Sequence, residues 1–126
     1  MKGAFLVSPG IQLFDVAGRA LVDMGGTYYP DDGVVQLRDE LGNLFTIYEN
    51  AEPSYEYRDR PLVGASEIQL PNLHDMIGLA VECRNERHFA MLVKAIAQAS
   101  DSAVWVVDGD GVVWSALEVD PARVRL

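Results

Sequence analysis

A short apolar run followed by a helix-length amphipathic segment occurs twice in this chain, 75 residues apart, the separation of Phe14 and Phe89. A repeat of that kind narrows the architectures open to a chain before any other feature is weighed. In the first copy, Gly3-Ala4-Phe5-Leu6-Val7 reads as a buried strand and Pro9-Gly10 breaks it. Residues 11–24 follow with Leu13, Phe14, Ala17, Ala20, Leu21 and Met24 at helical spacing, and Gly25-Gly26 stops the helix. In the second copy, Gly78-Leu79-Ala80-Val81 is the strand, and residues 86–99 form the helix with Phe89, Leu92, Val93 and Ile96 on one face. Asn85 is placed to cap that helix, with Glu86 in its first turn. The same offset carries Ala17 onto Leu92, Ala20 onto Ala95 and Leu21 onto Ile96.

Each helix precedes a hairpin pattern. Residues 34–38 and 44–48 flank Glu40-Leu41-Gly42, where Gly42 supplies the left-handed residue of a three-residue loop. Val35 and Leu37 then face Ile47 and Phe45. Residues 103–107 and 112–114 flank Asp108-Gly109-Asp110-Gly111, and a two- or four-residue loop sets Trp105 opposite Trp114 and Val107 opposite Val112. The expected fold is α+β: two strand–helix–strand–strand units, residues 1–50 and 76–117, joined by a proline-broken connector, 51–75. They form one mostly antiparallel sheet of about six strands with both helices on one face. With 126 residues, 49% of them hydrophobic, residues 1–126 make a single domain.

One cysteine, Cys83, rules out an intramolecular disulfide and a cysteine-cluster zinc site. No apolar run approaches the roughly 18 residues of a membrane span, and residues 1–10 make a poor signal peptide, so the expected compartment is the cytoplasm. Eight Arg against two Lys points to a GC-rich bacterial source. The formal net charge of -9 repels a phosphate backbone and disfavours nucleic acid as a partner. Residues 31–60 hold eight acids against three arginines. That local imbalance suits electrostatic steering of a basic partner.

Candidate chemistry is sparse. Asp108-Gly109-Asp110-Gly111 alternates acids like a calcium loop, yet Val112 and Val119 stand where oxygen ligands are needed, so it reads as a hairpin turn. His74 and His88 have no second histidine at helical spacing, and His88 reads as an exposed surface residue. Cys83 precedes Arg84 at a strand end and reads as a buried, inert thiol rather than a thiolate. Asp31-Asp32, between Pro30 and Gly33, is strong turn chemistry. The stretch 49–60 mixes acids with Tyr55, Tyr57, Arg58 and Arg60, residue types enriched at binding hot spots.

These residues suggest a non-enzymatic binding protein that docks a basic protein through Asp31, Asp32, Glu49, Glu52, Tyr55, Glu56, Tyr57 and Arg58, with no catalytic set, metal or cofactor. In class and composition the profile resembles that of many bacterial immunity and antitoxin-type proteins. The alternative is a small enzyme or ligand-binding domain, with Asp31, Asp32, Glu49 or Glu52 as acid, base or ligand in a cleft between the units. The last strands are apolar on both sides, so something must cover the second sheet face. The connector is one candidate, through Tyr55, Tyr57, Leu62, Val63, Ile68 and Leu70. A homodimer burying a Trp105–Trp114 pair is the other, and the one expected here.

Overall fold

A computed structural model describes residues 3–10, 12–49, 62–65, 71–73 and 76–126. The elements run β1 (Gly3–Ser8), α1 (Leu13–Asp23), β2 (Thr27–Tyr29), a 3-10 turn (Pro30–Asp32), β3 (Val34–Arg38), β4 (Leu44–Tyr48) and β5 (Val63–Gly64). They continue with β6 (Ile77–Cys83), α2 (Glu86–Ala99), β7 (Trp105–Val107) and β8 (Val112–Ser115). The strands form one sheet in the order β2-β3-β4-β6-β1-β7-β8-β5. Every neighbouring pair is antiparallel except β5 and β8. The α+β class holds, and the sheet has eight described strands rather than six because each edge carries a short extra one.

Local chemistry explains both helices. Asn85 Oδ1 accepts the His88 amide at 2.9 Å and caps α2. The α1 helix ends as a Schellman motif, in which Gly26 N–H reaches Leu21 O at 2.7 Å and Gly25, at φ +102°, reaches Val22 O at 2.9 Å. A Cβ on Gly26 would lie 2.7 Å from Gln36 O, so this turn must be glycine for the chain to double back as β2 against β3.

The two helices pack on one face. Leu13, Phe14, Ala17 and Leu21 of α1 and Phe89, Leu92, Val93 and Ile96 of α2 share a core with Leu6, Val35, Phe45, Ile47, Leu79, Val81, Val106 and Trp114. Those strand residues alternate along each strand and face one another across the ladder: Val35 pairs Ile47, Ile47 pairs Val81, Leu6 pairs Leu79 and Val106. Each fully buried side chain of this size contributes roughly 1.5–3 kcal/mol.

β1 and β4 run parallel with β6 between them, and β6 and β7 run parallel with β1 between them. Two split β-α-β crossovers therefore interleave. The hairpins are used differently in the two halves. After α2 only residues 100–104 precede β7, which drops directly beside β1. After α1 the longer stretch 24–43 carries the chain out through β2 and β3 before β4 returns to β6.

The second hairpin corrects the expected register. Val106 pairs Trp114, Trp105 pairs Ser115 and Val107 pairs Val113. The loop has three residues because Gly111 takes φ +81° and Asp108 N–H reaches Val112 O at 3.0 Å, the arrangement that Gly42 at φ +84° gives the first hairpin. The one-residue slip puts the two tryptophans on opposite faces. Trp114 is 4% exposed beneath the helices. Trp105 and Trp114 are therefore not a cross-strand pair.

On the other face, Val7, Val107 and Val113 are buried with Leu73 and Met76, and Phe5, Leu62 and Trp105 pack beside them. Leu62 and Leu73 come from the connector, which thus covers this part of the second face. Val63 is exposed instead, and Tyr55, Tyr57, Ile68 and Leu70 lie outside the described residues.

Candidate functional site

Three of the predicted partner-facing acids come together at one corner of the sheet. Asp31 and Asp32 sit exposed on the 3-10 turn, which Pro30 starts with its preset φ and Gly33 ends at φ +64°. Glu49 extends the β3–β4 ladder past its last pair, its N–H reaching Gly33 O at 2.8 Å. A Cβ on Gly33 would lie 3.3 Å from Glu49 Cβ, which shows how closely the two backbones approach. Tyr28 OH donates to Asp15 at 3.2 Å on the same corner. Its phenol is raised above the usual tyrosine range by partial burial first, then by the Asp15 hydrogen bond and the charges of Asp15 and Glu49, against the opposing charge of Arg19. Tyr29 projects from β2 beside the turn and is exposed.

The corner is a surface of dispersed negative charge with a tyrosine on it. Among the described residues no three His, Cys, Asp or Glu side chains stand close enough to hold a metal ion. Asp31 and Asp32 lie on the outermost hairpin connection rather than between the two halves of the sheet. Glu52, Tyr55, Glu56, Tyr57 and Arg58 lie outside the described residues, as does His74.

His88 is not the surface residue expected. It is 5% exposed, with its ring edge-on to Phe45 at 6.1 Å and Nε2 3.5 Å from Leu37 O. The signal was present in its spacing: His88 stands four residues before Leu92 and eight before Ile96, on the stripe that faces the sheet. Cys83 is buried as expected, and burial pushes its thiol above the usual range.

Asp108 is a finding that sequence reasoning missed. The turn reading of Asp108–Gly111 stands, but the first aspartate faces inward and is 2% exposed. Its Oδ1 accepts from the amides of Asp110 and Val112 at 2.9 and 3.0 Å. Its Oδ2 accepts from Trp114 Nε1 at 3.1 Å and the Arg125 amide at 3.2 Å. Asp39 plays the loop half of this part in the first hairpin, accepting from Leu41 and Asn43 amides at 2.9 and 2.8 Å. The shared signal is Asp-x-x-Gly at both loops, with the glycine at positive φ.

Among the cavities lined by described residues, two larger ones stand apart from the corner. A polar one of about 380 Å³ is lined by Asn43, Leu44, Thr46, Glu82 and Arg84 on the face away from the helices. Near it, burial and then the charge of Glu82 raise the Tyr48 phenol above its usual value. The second, about 460 Å³, lies between the end of α1, the β3–β4 loop and α2, with Met24, Leu41, His88 and Met91 on its walls. No protein-family model, no curated protein and no solved structure matches this chain. The reading of these sites therefore rests on their chemistry alone.

Proposed function

We propose that this chain is a non-enzymatic binding domain that docks a basic partner protein on the corner formed by Asp31, Asp32 and Glu49. The observation that carries the reading is the meeting of these three exposed acids, with exposed Tyr29, around the close approach of Gly33 and Glu49. Charges arranged this way steer association and set its salt dependence more than they add raw affinity. The acids and tyrosines of residues 52–58 continue from Glu49 in the chain and belong to the same partner-facing set. Immunity and antitoxin-type proteins of the bacterial cytoplasm are the class this reading favours. Among the described residues no helix is long and apolar enough to cross a membrane.

The test is capture from a cell lysate at low salt with the full chain as bait, beside a triple variant carrying Asp31→Lys, Asp32→Lys and Glu49→Lys. The expected result is a basic protein that elutes as salt rises and is lost with the triple variant. A partner retained equally by the variant, or an acidic partner, refutes the reading.

A ligand-binding domain is the second reading, and the polar cavity beside Glu82 is what favours it. A thermal-shift screen of cations and metabolites distinguishes the two, since a ligand that binds only the folded state raises the transition. A shift removed by Glu82→Gln supports the second reading.

A further inference from the structure

Of the seven large hydrophobic side chains exposed among the described residues, three meet at a single groove. Leu41, at the tip of the β3–β4 loop, is 86% exposed; Met91 of α2 is 54% and Met24, just past α1, is 42% exposed. Flexible thioethers beside a leucine make a surface that reshapes itself around an incoming side chain.

The groove also has an unmet polar group. A carbonyl can only accept, so in the neutral ring donation from His88 Nε2 to Leu37 O, 3.5 Å away, leaves Nδ1 an acceptor. That nitrogen is buried and has no hydrogen-bond partner. A buried acceptor left unpaired carries a free-energy cost that a donor from outside would relieve.

The charge around the rim selects the donor. Arg38 is turned onto its own loop, donating to Gly42 O at 3.1 Å. The Asp39 carboxylate is occupied by Leu41, Asn43 and the Asn43 side chain. Glu40 remains exposed, and α1 ends at Asp23 with no basic residue in its last turn, so the negative end of the helix dipole goes uncompensated.

We infer that this groove receives a basic amphipathic segment of a partner protein, with an apolar side chain among Met24, Leu41 and Met91 and a lysine or arginine beside Glu40. The inference rests on the proposed function in taking the partner to be basic, and adds where its apolar anchor sits. The groove and the acidic corner lie at opposite ends of the β3–β4 hairpin, since the loop carries Leu41 and the far end carries Gly33 and Glu49. Seating the segment displaces the exposed Leu41 and Met91 side chains and brings an N–H to His88 Nδ1.

The experiment is an amide and imidazole NMR titration of the full chain with an amphipathic peptide of leucine and lysine, and with its leucine–glutamate counterpart. The lysine peptide is expected to give saturable shifts at Met24, Leu41, Met91 and the His88 ring, and the glutamate peptide none. Leu41→Lys and Met91→Lys alter exposed side chains and should each weaken binding about tenfold. Shifts confined to Asp31, Asp32 and Glu49, equal responses to both peptides, no saturable shift, or unchanged affinity in the variants overturn the inference. If lysate capture is lost with the corner triple variant but kept with Leu41→Lys and Met91→Lys, the groove fails and the proposed function stands. If the groove titrates as expected and no basic protein is captured, the proposed function fails alone.

Discussion

Replacing Asp108 with alanine tests whether the inward-facing carboxylate ties the second hairpin to the C-terminal segment. The substitution removes the acceptor of four donors: the amides of Asp110, Val112 and Arg125, and Trp114 Nε1. Hydrogen bonds to a charged group contribute about 1.5–3 kcal/mol each, but these will not add. The Asp110 and Arg125 amides belong to exposed residues that water can reach, and deleting a buried carboxylate returns its desolvation cost. The Trp114 indole, 4% exposed, keeps its full penalty as an unpaired donor, about 1–3 kcal/mol. The net loss expected is about 3 kcal/mol, a large part of the roughly 5–15 kcal/mol that holds a domain together. At about 4 °C per kcal/mol for a chain of this size, the transition should fall by roughly 12 °C. Asp108→Asn should recover less than half of this, because an amide oriented to serve the loop through its oxygen turns Nδ2 towards Trp114 Nε1 and the Arg125 amide. Urea unfolding followed by tryptophan fluorescence gives the magnitude. Hydrogen exchange gives the place: the amides of Arg125 and of Gly109, which donates to Arg125 O at 2.6 Å, should lose protection before the rest of the sheet. An unchanged midpoint, or a lowered midpoint with protection intact at Arg125, refutes the account.

The remaining predictions are simpler. Asp39 should behave as an acid-sensitive version of the same device: the Asn43 side-chain hydrogen bond, with the loop amides, holds its carboxyl below the usual carboxylate range. A depressed folded pKa stabilises above the unfolded value and is lost as pH falls through the folded one, so wild type and Asp39→Asn should converge in transition temperature below about pH 4. Cys83, with a thiol pushed above the usual range by burial, should stay unreactive to a disulfide reagent at neutral pH until the chain unfolds. A labelling rate well above the unfolding rate contradicts its placement. Gly26→Ala should cost about 1–3 kcal/mol in a urea titration, because the new methyl meets Gln36 O at 2.7 Å and Leu21 O at 2.8 Å. Gly42→Ala, with open space around its Cβ, should show only the smaller cost of a positive φ.

The sequence by itself determined whatever is decided within a few residues. The faces of α1 and α2, the cap at Asn85, the stop at Gly25-Gly26 and the first hairpin's register all follow from local spacing and from which residues tolerate a given φ. His88 and the Asp-x-x-Gly loops were also legible there, one in its helical stripe and the other in its repetition, though only their surroundings give them meaning. Tertiary structure alone decided the neighbours. Whether β4 or β3 reaches β6 depends on the path through β2, and the pairing of β5 with β8 depends on where the connector lies. The faces of Trp105 and Trp114 turn on the parity of one loop, because a single-residue slip inverts every side chain of a strand. The acidic corner, by contrast, follows from the first hairpin's register: continued one step past the Val34–Tyr48 pair, the β3–β4 ladder brings Glu49 beside the turn that carries Asp31 and Asp32. Periodicity and turn chemistry act through contacts between near neighbours in the chain, whereas strand order and shared surfaces depend on contacts whose loop closure no local pattern records.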